Sequence, residues 1–258
     1  MSDILCEWQD KILLITFNRV SKQNAFDDKF LNELQSILDH EKNNPKLRAL
    51  IFKANGKHFS AGADLNWMQR IAQFTEAENI QDALVLARLM RSIYEFPCPT
   101  IAMIQGAAFG GGVGIVATCD IAIAAASAKF CFSEVKLGLI PAVISPYVIK
   151  AIGERAATQL FVTAETFDTK RALNLNLIQH QVDDDQLLNF TLNYAKQLIK
   201  LAPNAIRASK KLIRSVSNQK IDATIDQFTA KLIAKQRVST EGQKGITAFL
   251  KKEMPIWD

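Results

Sequence analysis

Residues 105–120 read QGAAFGGGVGIVATCD and place four glycines, Gly110, Gly111, Gly112 and Gly114, within five positions of an otherwise apolar run. Glycine costs about 0.5–1 kcal/mol relative to alanine inside a helix, so a cluster like this needs a reason. One reason is tight backbone packing. Another is a backbone N–H that a ligand must approach closely. The run follows a β-rich segment, PTIAMIQG (99–106), and leads into apolar positions at Val113, Ile115 and Val116. It therefore reads as a strand ending near Gln105, a glycine turn, and a helix.

A second stretch has the same design. NGKHFSAGADL (55–65) follows the β-rich LRALIFKA (47–54). Asn-Gly turns the chain, Ala61, Gly62 and Ala63 are small, and Asp64 is placed to N-cap a helix through Trp67, Met68 and Ile71. Strand-to-helix turns expose backbone N–H groups at a helix N-terminus, where negative charge is favoured. Two such turns facing one point make a pair of donors for an oxyanion. The spacing leaves open whether they converge, and each alone also reads as an ordinary turn.

Outward from these turns, KILLITFNR (11–19) is a further strand. Apolar positions at helical spacing run over 27–42 (Phe30, Leu31, Leu34, Ile37, Leu38) and 77–94 (Ala83, Leu84, Leu86, Ala87, Met90, Tyr94). Strands alternating with helices give the α/β class. Beyond about residue 184 no strand is evident, and helices are expected at 184–200, 203–217, 221–238 and 240–252. The chain of 258 residues is 48% hydrophobic and 22% charged, an ordinary globular balance. No signal peptide is evident at the N-terminus. The glycines and Asp120 argue against a membrane span at 106–126. Cys6, Cys98, Cys119 and Cys131 form no CxxC pair and read as free thiols in a reducing cytoplasm.

The net charge is +5, and residues 201–258 hold 11 Lys/Arg against 5 Asp/Glu. This basic tail suits an anionic partner. No nucleic-acid motif accompanies it, and a phosphate-bearing small ligand fits as well. His58 reads as a turn residue. Ser60 and Ser133 have no adjacent His and no GxSxG around them. No spacing of His, Cys, Asp and Glu suggests a metal site.

Taken together and in order, FSAGADL (59–65), GGGVGIVATCDIAIAA (110–125), FCFSEVKLGLIP (130–141), AIGERAA (151–157) and the tail EGQKGITAFLKK (241–252) resemble the enoyl-CoA hydratase/isomerase, or crotonase, superfamily. The resemblance covers nearly the whole chain. It implies an α/β spiral of ββα units over residues 1–195 and a C-terminal helical region, 196–258, that builds a homotrimer or a homohexamer. It implies an acyl-CoA thioester substrate with no separate cofactor, since coenzyme A is part of that substrate, and neither a membrane nor nucleic acid as partner. The backbone N–H groups of Ala63 and Gly111 would form the oxyanion hole, with Gly110 and Gly112 letting the turn close around Gly111. Glu134 matches one catalytic carboxylate. The other falls at Gly114, which has no side chain, so two-carboxylate hydration does not transfer intact. Gly114 is instead expected to leave space that a branched or acidic substrate fills. Asp120 is expected to bond backbone groups.

The coenzyme A end is expected near Lys57, Ala61, Asp64 and Leu65, with Phe249 and Lys252 completing that site. AVISPYV (142–148) stands where standard crotonases carry a glycine-rich run, so Val143, Ile144 and Ser145 would reshape the acyl pocket. More narrowly, the chain resembles bacterial methylglutaconyl-CoA hydratases and the related isohexenylglutaconyl-CoA hydratases, whose substrates bear a β-branch and a distal carboxylate. The cation for that carboxylate stays open among Arg70, Arg88 and Lys136. Three readings follow: hydratase; isomerase with Glu134 as sole acid/base; and a non-catalytic CoA- or RNA-binding protein.

Overall fold

The computed structural model describes residues 2–257. The chain divides into two compact units, Met1–Ala195 and Lys196–Asp258. The first unit opens with β1 (Ile4–Gln9) and β2 (Ile12–Phe17), an antiparallel pair. Next come α1 (Asp28–Glu41), β3 (Ala49–Ala54), α2 (Leu65–Ile71), α3 (Glu76–Tyr94) and β4 (Thr100–Ile104). They are followed by β5 (Ala107–Phe109), α4 (Gly111–Thr118), β6 (Ile121–Ala125) and β7 (Lys129–Cys131). A 3₁₀ turn (Glu134–Leu137), α5 (Ser145–Thr163), β8 (Phe167–Asp168), α6 (Thr169–Asn174) and β9 (His180–Val182) complete the spiral, and α7 (Leu187–Leu198) leads out of it.

One sheet has the order β1-β2-β3-β4-β6-β9, parallel after its first pair, and a smaller sheet has the order β5-β7-β8. Consecutive strands β4 and β5, then β6 and β7, go to different sheets before the chain enters α4 and α5 respectively. These two turns each add one strand to each sheet and then a helix, the expected ββα unit. The strand expected to run to Gln105 ends at Ile104. After Gln105 and Gly106 the chain forms β5, which pairs with β7 and bridges Ser60 before the glycine turn.

Inside the large sheet, between β1 and β3, β2 is buried along its whole length. Parallel strands of this kind read as continuous apolar runs. Phe17 packs edge-on against Phe26 and Phe30, with centroids 6.1 and 5.2 Å apart. That aromatic cluster underlies both loops of interest. Asp27 N-caps α1 by accepting the Phe30 N–H at 2.9 Å, and α3 starts with a capping box between Thr75 and Glu78.

The second unit holds the end of α7 and three further helices, α8 (Pro203–Val216), α9 (Ala223–Val238) and α10 (Thr240–Leu250). Within it, Glu241 accepts the N–H groups of Asn204 and Ala205 at 3.0 and 2.7 Å and so caps the start of α8. Among the described residues no helix is long and apolar enough to cross a membrane.

Candidate active site

The loop after β3 is held from two sides. The Asn24 side-chain amide donates to the carbonyls of Asn55 and His58 at 2.9 and 2.8 Å. Ser60, fully buried, donates through Oγ to Asn24 O at 2.8 Å and accepts the Gly62 N–H at 3.2 Å. On one flank Phe26 N–H bonds Gly62 O and Asp64 N–H bonds Phe26 O, both at 2.7 Å. On the other, Ser60 N–H bonds Ala107 O at 3.0 Å and Phe109 N–H bonds Ser60 O at 2.9 Å. The Ala63 N–H has no acceptor among the described residues.

Asp64 caps α2 as expected, accepting Asn66 N–H at 2.8 Å and Trp67 N–H at 3.4 Å. It also lies 3.5 Å from Arg19 and 3.4 Å from Lys22. Burial works against its charge, but the two N–H bonds and Lys22 outweigh it and hold its pKa below the usual carboxylate range. Its side chain is committed to the helix start. Leu65, the first residue of α2, is 75% exposed.

The glycine turn is the second half of the site. Gly110 is the N-cap of α4 at φ 50°, ψ −121°, and its N–H bonds Cys131 O at 2.9 Å. That conformation is closed to most L-residues. Gly111 is the first helical residue, and its N–H also lacks an acceptor among the described residues. A Cβ on Gly112 would lie 2.9 Å from Ser60 Cβ, and one on Gly62 would lie 3.2 Å from Phe109 O. The two turns are packed backbone against backbone, with one unpaired N–H on each. This packing accounts for Gly112, and the positive φ accounts for Gly110.

Glu134 begins the 3₁₀ turn after β7. Its carboxyl group lies against the glycine turn, since a Cβ on Gly110 would sit 3.3 Å from Oε1. Oε2 is buried with no hydrogen-bond partner among the described residues. Burial raises the pKa, opposed only by Glu134's own backbone N–H. A buried carboxyl of raised pKa beside two unpaired N–H donors can exchange a proton next to a site that stabilises an oxyanion.

Gly114 does not leave the expected space. A Cβ there would overlap Ile144 Cγ2 and lie 3.0 Å from Ile144 Cβ and 3.1 Å from Met90 Cε. The room belongs to the buried side chain of Ile144, and Gly114 is itself buried. The expected open space at Gly114 is corrected: the position is packed against Ile144 and Met90. Ser145, at the head of α5, donates to Ala142 O at 2.8 Å. Of the three open cations, Arg70 pairs with Asp28, Arg88 acts on Asp39, and Lys136 Nζ lies 3.8 Å from Cys131 Sγ.

Lys57 and Ala61 line a cleft of about 580 Å³ with His58, Gln105, Phe109 and Lys129. His58 Nδ1 accepts the Ala107 N–H at 2.9 Å. Burial, helped by the Lys57 charge, holds its pKa down. Asp120 accepts from Thr100 N–H and Oγ1 at 2.7 and 3.0 Å, the expected structural use. Phe249, in α10, is 80% exposed, and Lys252 follows just past that helix, both in the second unit. Asn24, Ser60 and Met90 were not singled out as site residues. A buried Asn or Ser carries no spacing signal of its own.

The family model described as enoyl-CoA hydratase/isomerase matches residues 7–258. A crystal structure of a candidate enoyl CoA hydratase/isomerase (crotonase) from Legionella pneumophila subsp. pneumophila str. Philadelphia 1 is 61% identical, covers 100% of both chains and superposes with a TM-score of 0.95. An enoyl-CoA hydratase from Shewanella pealeana is 44% identical over 99% of this chain and 96% of that one, with a TM-score of 0.96. The 2,3-dehydroadipyl-CoA hydratase of Escherichia coli is 27% identical over 99% of this chain and 98% of its own length.

Proposed function

Since the chain belongs to the enoyl-CoA hydratase/isomerase family, we propose that it is a hydratase adding water across the 2,3 double bond of a branched, acidic enoyl-CoA of the 3-methylglutaconyl type. The observation that carries this reading is the Glu134 carboxyl group, whose Oε2 is buried and without a partner among the described residues, set against the glycine turn at Gly110 whose next residue, Gly111, has an unpaired N–H.

The thioester oxygen accepts from the N–H groups of both Ala63 and Gly111. When the double bond is attacked at the β-carbon, electron density moves through the α-carbon onto that oxygen, and the two fixed donors stabilise the charge more than the neutral ground state. Glu134, as carboxylate, polarises one water. The hydroxyl of that water adds to the β-carbon, its proton passes to Glu134, and Glu134 delivers a proton to the α-carbon. Atoms balance as one water gained, and Glu134 returns to its carboxylate form.

The substrate class is supported by the resemblance carried by the segments 110–124, 129–149 and 151–168. It is also supported by the E. coli relative, named for an acyl chain that ends in a carboxylate. We infer that the nucleotide end of coenzyme A lies along the loop of Lys57, Ala61, Asp64 and Leu65. We infer further that Phe249 and Lys252, supplied by a further copy of the chain in a trimer or hexamer, complete the coenzyme A site. Truncation after Ile246 is then expected to lower the mass seen by light scattering and weaken coenzyme A binding.

A second reading, Δ3-Δ2-enoyl-CoA isomerase, is favoured by one observation: Ile144 fills the place where a second carboxylate would stand. One carboxyl group suffices to carry a proton between two carbons. Purified protein incubated with 3-methylglutaconyl-CoA, crotonyl-CoA and a 3-enoyl-CoA, with products followed by mass and by absorbance of the conjugated thioester, separates the two. A gain of one water on the first substrate supports the hydratase. Double-bond migration on the 3-enoyl-CoA with no water gained by any of the three would replace it with the isomerase.

A further inference from the structure

The Ala63 N–H stands at the end of a chain of hydrogen bonds that begins at Arg19. The Nη1 group of Arg19 donates to Ala25 O at 2.7 Å. Ala25 O and the Phe26 N–H belong to one peptide unit, and that N–H donates to Gly62 O at 2.7 Å. Gly62 O and the Ala63 N–H again share one peptide unit. Both units are trans, so in each the C=O and the N–H point in opposite directions. The bond received at Gly62 O therefore turns the Ala63 N–H away from Phe26. Asp64 N–H donates to Phe26 O, also at 2.7 Å, and closes the bridge between Phe26 and Ala63 from the other side.

We propose that Arg19 is a positioning residue for the reaction: through the peptide units Ala25–Phe26 and Gly62–Ala63 it orients and polarises the N–H that binds the thioester oxygen. A charged donor makes a stronger bond than a neutral one. Each bond in a chain strengthens the next, by on the order of 10–30% per bond. The effect of the guanidinium thus reaches the Ala63 N–H, where negative charge develops in the transition state. This rests on the reading of the Ala63 N–H as an oxyanion donor and deepens it. It holds whichever enoyl-CoA is turned over, and whether water is added or a double bond moved.

The two donors are backed differently. Gly111 stands first on α4, and its peptide partner, Gly110 O, accepts the N–H groups of Val113 and Gly114 at 3.0 and 3.2 Å. A helix start polarises that donor. Ala63 lies before Asp64, the N-cap of α2, and so outside the helix. Phe26, with Arg19 behind it, stands where a helix end would. The Arg19 side chain is 10% exposed, and Ala25 and Phe26 are buried, so the relay runs through protein rather than water. Three carboxylates surround the guanidinium: Asp27 at 2.7 Å and Asp64 at 3.5 Å from Nη2, and Asp3 at 3.2 Å from Nε. They hold the rigid fork in place and leave Nη1 to Ala25. Lys22, 3.4 Å from Asp64, offsets part of their charge.

The test uses Arg19→Met, which keeps an unbranched chain and removes the charged donor. The first readout needs no substrate: the amide proton shifts of Phe26 and Ala63 by ¹⁵N-edited NMR of the full-length chain. Both are expected to move upfield in Arg19→Met. The second is the stretching frequency of the ¹³C-labelled thioester carbonyl of crotonyl-CoA, added to saturation in a Glu134→Gln background where turnover is slow. Binding is expected to lower that frequency, and to lower it less when Arg19→Met is added. With Glu134 in place, Arg19→Met is expected to reduce kcat about tenfold, short of the 10²–10³-fold for a whole donor. KM is expected to stay, since the bond matters most in the transition state.

An Ala63 amide proton unmoved in a folded Arg19→Met protein overturns the proposal. Should Arg19→Met fail to fold, Asp27→Asn carries the test. Asparagine keeps the N-cap acceptor of α1 and removes one charge that draws on the guanidinium, so the Ala63 amide proton is expected to move downfield. An unmoved proton there overturns the proposal equally. A carbonyl lowered to the same frequency with and without Arg19 removes the relay and leaves the oxyanion reading. A carbonyl that keeps its free frequency with Arg19 present removes the oxyanion reading, and the amide protons then decide the relay alone.

Discussion

The Glu134 carboxyl group rests on the backbone of Gly110, so close that a methyl there would lie 3.3 Å from Oε1. Gly110 also holds φ 50°, ψ −121°. Gly110→Ala is therefore strained twice, once in the backbone and once against the carboxyl group. Strain of this kind costs about 1–3 kcal/mol. A lower urea midpoint is expected, together with a fall in turnover, because the methyl displaces Glu134 from its seat. A Gly110→Ala protein with the original midpoint and turnover would show that the turn accommodates a side chain.

Glu134→Gln separates chemistry from stability. Glutamine keeps the size but exchanges no proton, so turnover is expected to fall by at least about 10²-fold. Stability moves the other way. The folded pKa is raised by burial above the ordinary 4.5, so the native state binds more protons than the unfolded chain between the two values. Stability contributed by this site is then present below about the unfolded pKa and is lost as pH rises through the folded one. The variant is expected to melt above the original protein at neutral pH, with the advantage gone below about pH 4. Melts of both proteins at several pH values check the sign, and a variant that melts below the original protein at neutral pH contradicts it.

Much of the fold was legible because its signals are local. The apolar repeat over 27–42 becomes α1, and Asp64 becomes the N-cap of α2. What was not legible is made by distant partners. β5 is three residues long and exists through its pairing with β7 and its bridge to Ser60. β1, with several residues exposed, reads weakly as a strand and is set by its register on β2. In the site, Ala63, Gly111 and Glu134 stood out through resemblance to a family, since spacing alone made each an ordinary turn or surface residue. Gly114 was read as open space because its glycine is visible in the chain, whereas the Ile144 methyl that fills the space arrives from another element.

Asp64 ties the first loop to the rest of the unit, and its pKa is held down in the folded state by N–H bonds and Lys22, against the effect of burial. A carboxyl group of depressed pKa stabilises the fold above its unfolded pKa and loses that contribution as pH falls through the folded one. Asp64→Asn retains an N-cap acceptor but no charge for Arg19 and Lys22. Asp64→Ala loses both and is expected to cost about 0.5–2 kcal/mol for the cap alone. In acid titrations the native protein is expected to lose stability relative to Asp64→Asn below about pH 4. Parallel curves for the two would remove Asp64 from the acid limb.

The oxyanion hole is tested most sharply at Gly111, where one atom can be removed with little else disturbed. Gly111 is the first residue of α4, a position where proline is well tolerated because its missing N–H has no intrahelical acceptor in any case. Gly111→Pro deletes one of the two unpaired donors. Gly111→Ala keeps the donor, and its Cβ would meet the Phe26 ring at 3.4 Å, an ordinary contact. Both variants place a Cβ at the same site, and proline further adds its ring and removes the N–H, so the melts of the two are compared alongside their rates. Loss of a single oxyanion donor costs about 10²–10³-fold in rate. Gly111→Pro is expected to fall by that factor in kcat while melting within a few degrees of Gly111→Ala, which keeps most of its activity. Equal activities in two folded proteins would show that the Gly111 N–H does not bind the developing charge. Equal losses in both would place the effect in the shape of the turn.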